Sequence, residues 1–175
     1  MDTVEYFGTE ETTRRRELAY GILREPPAPF FSHQAVVLRV ARLLADYVEP
    51  RGLGVIAVAP VDVVLDSDRA LIVQPDVLYV SAARQSIIRN QVWGAPDLVV
   101  EVLSIGTERH DWGEKLDWYR MYGVREYWLV DPVAMEIVTF DFTGAHAVEH
   151  RFTSDDPIRS TVLPDLALAA SAVLG

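Results

Sequence analysis

The sequence predicts an α/β protein, a mixed central β-sheet flanked by helices, and three stretches carry that expectation. From His33 to Val48, residues Val37, Val40, Ala41, Leu44 and Val48 make one apolar stripe at helical spacing. Two β-rich runs follow, Gly54–Leu65 and Ala70–Val80, joined by the turn-like Asp66-Ser67-Asp68. The stretch from Pro96 to Pro132 then reads as strand, helix, strand. Its apolar runs Leu98–Leu103 and Val124–Val130 are short, rich in Val and bounded by turn signals, as buried strands are. Between them Trp112, Leu116 and Tyr119 recur at i, i+4, i+7, one face of a helix, and Gly123 supplies the stop. With joints so short, the two strands should be parallel neighbours under a right-handed crossover.

The other elements follow in chain order. Residues 1–13 are acidic and predict a short helix or a frayed end. Glu17–Arg24 alternates around Gly21 and predicts a small hairpin, Pro26–Pro29 a stiff loop, and Ser32 a helix N-cap. Pro50 and Gly52 end the long helix. Gln74-Pro75-Asp76 is a polar step inside an apolar run, and residues 81–95 read as a loop or short helix. Asp131-Pro132 opens a turn, after which Glu136–Phe142 and Ala147–Phe152 form a hairpin across Thr143-Gly144. Asp155-Asp156-Pro157 is a further turn, and Val162–Leu174 closes the chain as a strand or helix. With no linker, repeat or low-complexity tract, residues 1–175 read as one domain.

Composition narrows the classes of function. A chain of 175 residues, half of them hydrophobic, can bury a core without staples. The absence of cysteine excludes disulfide scaffolds, thiolate zinc sites and cysteine nucleophiles. No apolar run approaches the roughly 20 residues of a membrane span, so no membrane partner is expected. The opening residues lack the layout of a signal peptide, which makes the cytoplasm the expected location. A net charge of −10 argues against a protein that coats phosphates. Any contact with nucleic acid should be local and assisted by a metal.

Glu101 interrupts the run Leu98–Leu103. A carboxylate in a strand buried on both faces is costly unless it is paired or holds a metal. The alternatives are an edge position facing solvent, or a structural pairing with arginine. Asp97 shares its strand face but lies roughly 13 Å away, too far to share an ion, and fits a turn acceptor at the strand's entry. Asp76 belongs to another strand, and a neighbouring strand is only about 4.8 Å away. Asp76 and Glu101 are therefore the acids able to converge on one cation, and two carboxylates plus waters suit Mg²⁺. Lys115 is the only lysine beside fifteen arginines. It falls at the edge of the apolar helix stripe, within reach of the sheet, and offers a compact point charge that arginine cannot imitate. It could equally pair with Asp111 one turn earlier or hold its head in water.

These residues resemble a known family. Pro75-Asp76, A-P-D-L-V-V-E-V-L-S at 95–104, R-x-D-x-x-x-K-L-x-x-Y at 109–119 and G-V-R-E-Y-W-L-V-D-P at 123–132 are similar to the Uma-two restriction endonucleases, within the PD-(D/E)XK nuclease superfamily. E-L-x-x-G at 17–21 and the His33 helix also fit. The resemblance implies a restriction-endonuclease-like core and a Mg²⁺-dependent endonuclease, Mn²⁺ being an alternative, that hydrolyses phosphodiester bonds of nucleic acid, with DNA as the expected substrate. It implies metal binding by Asp76, Glu101 and the Val102 carbonyl, an electrostatic role for Lys115, and Glu17 completing the catalytic set. Position 103 is Leu where the superfamily pattern has lysine, and the resemblance implies that Lys115 on the following helix stands in for it. Ser104 precedes Ile105 rather than the usual proline. A homodimer would suit cutting of paired strands. The alternative reading is a nuclease-fold binding or assembly module that no longer cuts.

Weaker signals remain. His146 and His150 lie four apart but in a hairpin, where an exposed strand is favoured over zinc. His33 fits a cap or surface role better than a site role. His110-Asp111 are adjacent and point apart. Arg14-Arg15-Arg16 reads as a solvated run rather than a phosphate contact. Trp112, Trp118, Tyr119, Tyr127 and Trp128 suit core or dimer surface, and Gly52-Leu53-Gly54 is a turn rather than a phosphate loop.

Overall fold

The computed structural model describes residues 1–10, 12–104 and 111–175. Helix α1 (Thr3–Phe7) is closed by a capping box, in which Asp2 and Glu5 each accept the other's backbone N–H. Strands β1 (Glu17–Ala19) and β2 (Ile22–Arg24) form the expected hairpin. Helix α2 runs from Phe31 to Val48 and buries the predicted stripe. It begins earlier than expected, directly after the proline-rich loop: the N-cap is Phe30, and no side chain, Ser32 included, caps it.

The two long β runs are each broken in two. They give β3 (Gly54–Val58) and β4 (Val63–Asp66), then β5 (Leu71–Val73) and β6 (Val77–Ser81). The physical reason is Pro60 and Pro75, which have no N–H to give a ladder. At both points the chain crosses between sheets. Strands β4 and β5 join a five-stranded sheet in the order β2-β1-β5-β4-β7, β7 being Val92–Trp93 after a short helical turn over Ala82–Ile87. Strands β3 and β6 join a six-stranded mixed sheet, β11-β10-β9-β8-β6-β3.

The centre of that larger sheet is the expected strand–helix–strand unit. Strands β8 (Leu98–Val102) and β9 (Glu126–Asp131) are parallel neighbours. A wide helical turn over Asp111–Lys115 leads into α3 (Leu116–Tyr122), and Gly123 ends it in the left-handed region at φ 93°. Strands β10 (Glu136–Asp141) and β11 (Val148–Thr153) complete the sheet as the predicted hairpin. The closing segment holds both a short strand pair, β12 (Pro157–Ile158) with β13 (Leu168–Ala169), and a short helix α4 (Ala170–Leu174).

Alternation along β8 sets where each side chain goes. Leu98, Val100 and Val102 join the core under α2, and Val99 and Leu103 join the core that holds Trp118 and Tyr119 of α3. Glu101 shares the parity of Val99, so its carboxylate points to the α3 side. The aromatic residues singled out from the sequence serve packing: Trp118, Tyr119, Tyr127 and Trp128 are buried and Trp112 packs against the α3-side core. Among the described residues no helix is long and apolar enough to cross a membrane.

Gly54 opens β3 against β6, and a Cβ there would collide with the Val80 carbonyl and the Tyr79 ring. Gly54→Ala should therefore cost about 3 kcal/mol by forcing the edge strand away. Urea unfolding of the variant beside the unsubstituted protein measures this.

Candidate active site

Asp76 sits where the chain re-enters the large sheet, one residue before β6. Because β6 runs antiparallel to β8 with Val77 opposite Val100, Asp76 lands beside the Glu101–Val102 segment. Its Oδ2 accepts the Val102 N–H at 2.8 Å, and its own N–H points at Glu101 Oε2 at 3.4 Å. The adjacency of the two acids, expected from strand spacing, is thus present.

Lys115 reaches the same place from the helix. Its Nζ donates to Glu101 Oε1 at 2.9 Å and lies 3.0 Å from Glu17 Oε1. Tyr119, one turn on and on the same helix face, donates its hydroxyl to Glu101 Oε1 at 2.8 Å. Glu17 comes from β1 of the smaller sheet and is fixed by the Gln74 N–H at 3.0 Å. Glu101 is 1% exposed and Lys115 3%. Charges so deep are tolerated only when paired and hydrogen-bonded. The alternative of a solvated Lys115 is overturned by this burial, and its pairing with Asp111 involves a side chain outside the described residues.

Two residues that the sequence reading placed at the surface belong here. His33 is buried, with Nε2 3.3 Å from Asp76 Oδ2, and is neither cap nor surface residue. Helical spacing explains it, since His33, Val36, Val37 and Val40 share the buried face of α2. Arg15 is not part of a solvated run: its Nη1 donates to Asp76 Oδ1 at 2.6 Å, and its Nη2 reaches Glu101 Oε2 at 3.4 Å and the Gln74 carbonyl. Arg16 stacks over Tyr6 and gives its N–H to the Gln74 side chain. No pattern in the sequence separates Arg15 from its neighbours. Arg15, Glu17, His33, Asp76, Glu101 and Lys115 line a pocket of about 770 Å³, to which the loop Pro26–Phe30 also contributes.

The electrostatics follow from burial and partners. Burial works to raise the Asp76 pKa, but the His33 hydrogen bond and the Arg15 charge outweigh it and hold the carboxyl below its ordinary range. Burial works to lower the His33 pKa, and Asp76 overrides this and raises it. Burial and then the Glu101 charge push the Tyr119 hydroxyl well up, so it remains a donor.

Among the described residues no three His, Cys, Asp or Glu side chains form a metal-holding group. A divalent ion would thus have two carboxylates, a backbone carbonyl and water, the donor set that Mg²⁺ accepts. The residues fit such an ion: one cationic group, the Arg15 guanidinium, already touches both Asp76 and Glu101, so the two acids face a common point.

The remaining candidates lie elsewhere. Asp97 is fully buried at the other end of β8 and is no simple turn acceptor. It accepts from the Ser81 N–H at 2.8 Å, Arg84 at 3.1 Å and Arg125 at 3.3 Å. His146 and His150 are exposed in the outer hairpin. Ile105, Arg109 and His110 lie outside the described residues.

The mixed central sheet flanked by helices is a restriction-endonuclease-like fold, and comparison with solved structures agrees with it. The crystal structure described as that of "a putative nuclease belonging to DUF820" from Anabaena variabilis ATCC 29413 superposes with a TM-score of 0.83 at 16% identity, covering 99% of this chain and 97% of that one. The chain belongs to the Uma2 family, described as "Putative restriction endonuclease", whose family model matches residues 3–171. No curated protein matches the chain.

Two outcomes follow for stability. Lys115→Met leaves Glu101 and Glu17 without their shared ammonium and should cost about 3 kcal/mol in urea unfolding at neutral pH. For Asp97, burial opposes ionisation, but the Ser81 N–H and Arg84 prevail and hold its pKa down. Its contribution is therefore complete above the unfolded carboxyl value of about 4 and lost as pH falls through the lower folded value. Asp97→Asn should accordingly lose less stability than the unsubstituted protein on acidification from pH 5 to pH 3, followed by urea midpoints.

Proposed function

We propose that this protein is a metal-dependent endonuclease that hydrolyses phosphodiester bonds of DNA, with Asp76 and Glu101 as metal ligands and Lys115 as the electrostatic group. The observation that carries this reading is the convergence on one pocket wall of Lys115 with Glu101 at 2.9 Å and Glu17 at 3.0 Å, beside Asp76. The match to the restriction endonuclease family supports it.

The chain's own groups would divide the work. Asp76 and Glu101, with the Val102 carbonyl, would hold Mg²⁺ or Mn²⁺. A divalent ion supplies Lewis-acid charge to a phosphoryl group and makes water more acidic. Lys115, held between Glu101 and Glu17, would favour the negative charge that grows on a phosphoryl group bound in this pocket. Glu17 keeps that ammonium in position, and the Tyr119 hydroxyl fixes the rotamer of Glu101. A bound dication would offset the carboxylates at this one place, which is how a chain of net charge −10 could meet a phosphate there.

A nuclease-fold binding or assembly module is the second reading. What favours it is Leu103, two residues after Glu101, where the nuclease pattern has lysine.

Plasmid, single-stranded DNA and RNA substrates with Mg²⁺ or Mn²⁺ test the proposal. Cleavage should require the metal and fall by about 100-fold or more in Glu101→Ala and in Lys115→Ala. Metal-dependent cleavage that survives both substitutions would remove the assignment. Binding of DNA without cleavage under any metal would favour the module.

A further inference from the structure

We propose that Arg15 is a built-in counter-cation seated at the point where the divalent ion would bind, so that ion and guanidinium exclude one another. This rests on the metal-dependent reading above and extends it to a residue that reading does not use.

The argument begins with the oxygens. Asp76 Oδ2 is committed to the Val102 N–H at 2.8 Å and faces His33 at 3.3 Å. Glu101 Oε1 is committed to Lys115 at 2.9 Å and to Tyr119 at 2.8 Å. The other oxygen of each acid, Asp76 Oδ1 and Glu101 Oε2, meets Arg15, at 2.6 and 3.4 Å. A planar guanidinium presents its donors as a fork, and here the fork spans carboxylates from two neighbouring strands. A cation bridging both acids would compete with the guanidinium for those two oxygens.

Charge favours an exchange. Three carboxylates, Glu17, Asp76 and Glu101, face two permanent cations, Arg15 and Lys115, which leaves one negative charge in excess when His33 is neutral and none when it is protonated. A dication in place of the guanidinium would cancel that excess, and inside a protein such a change is weakly screened. There is also room for the displaced group. Arg15 lines a second hollow of about 550 Å³, bordered by Arg14, Gln34 and Pro60, and its side chain is already 20% exposed. A purely structural clamp would behave in the opposite way, because losing it would disorder the acids and weaken metal binding.

Mn²⁺ titration of the full chain, with free ion followed by electron paramagnetic resonance, separates these cases. Arg15→Gln should bind Mn²⁺ about tenfold or more tightly than the unsubstituted protein, and should melt lower in metal-free buffer. Arg15→Lys, which keeps the charge but loses the fork, should fall between them. In the unsubstituted protein, modification of Arg15 by phenylglyoxal, read by peptide mass spectrometry, should rise several-fold at saturating Mn²⁺. Equal or weaker Mn²⁺ affinity in both variants, or unchanged protection of Arg15 at saturating Mn²⁺, overturns the proposal and leaves the metal reading standing. Absence of Mn²⁺ binding in every form, or binding that Glu101→Gln leaves intact, overturns both.

Discussion

The contact between Lys115 and Glu101 is the constraint around which the molecule is arranged. A carboxylate in the middle of a central strand would cost several kcal/mol if left unpaired. The fold answers by bringing an ammonium to it from the crossover helix and a phenol from one turn further along. The same ammonium ties down Glu17 in the smaller sheet, so one charge joins strand β8, the turn that leads into α3, and strand β1. The two sheets are thus coupled at the pocket wall by electrostatics as well as by the shared apolar core.

The break in the long β runs belongs to the same design. Had the chain continued straight through Pro75, residues 70–80 would have made one strand with Asp76 in its interior. Changing sheets there frees Asp76 from the ladder of the smaller sheet and sets it at the start of β6. From that position it accepts the Val102 N–H across the strand pair. Proline supplies the break because it lacks the donor that a continuous ladder needs.

The central unit was legible because its signals are local. Val-rich runs, helical spacing through Trp112, Leu116 and Tyr119, and the Gly123 stop each act within a few residues, and the structure follows them. The pairing of Asp76 with Glu101 could be argued from strand spacing alone. The splitting of the β runs was less legible, since alternation reads the same whichever sheet a strand joins, and only the prolines hinted at it. Arg15 was hidden for another reason. Its role depends on contacts to residues far along the chain, and nothing in Arg14-Arg15-Arg16 distinguishes the middle guanidinium from its neighbours. His33 could have been found by continuing the α2 stripe one step toward its start, where a buried polar residue must have a partner.

Burial alone does not mark a functional acid in this protein. Glu126 is buried too, yet it accepts from the Ser160 hydroxyl, the Thr161 and Val162 N–H groups and the Trp128 ring N–H, all of them neutral donors. Burial raises its pKa despite those bonds, and its work is to moor the closing segment to β9. Asp97 is paired with Arg84 and Arg125, but it lies four residues before Glu101 at the far end of the strand and borders no described cavity. Glu101 and Asp76 differ from both in having cationic partners from three separate stretches of chain, at Arg15, His33 and Lys115, and a pocket beside them. Neutral donors that surround a carboxylate hold it in one state. Cationic partners at a cavity wall can in principle be replaced by another cation, and it is on this difference that the proposal of a metal-using site rests.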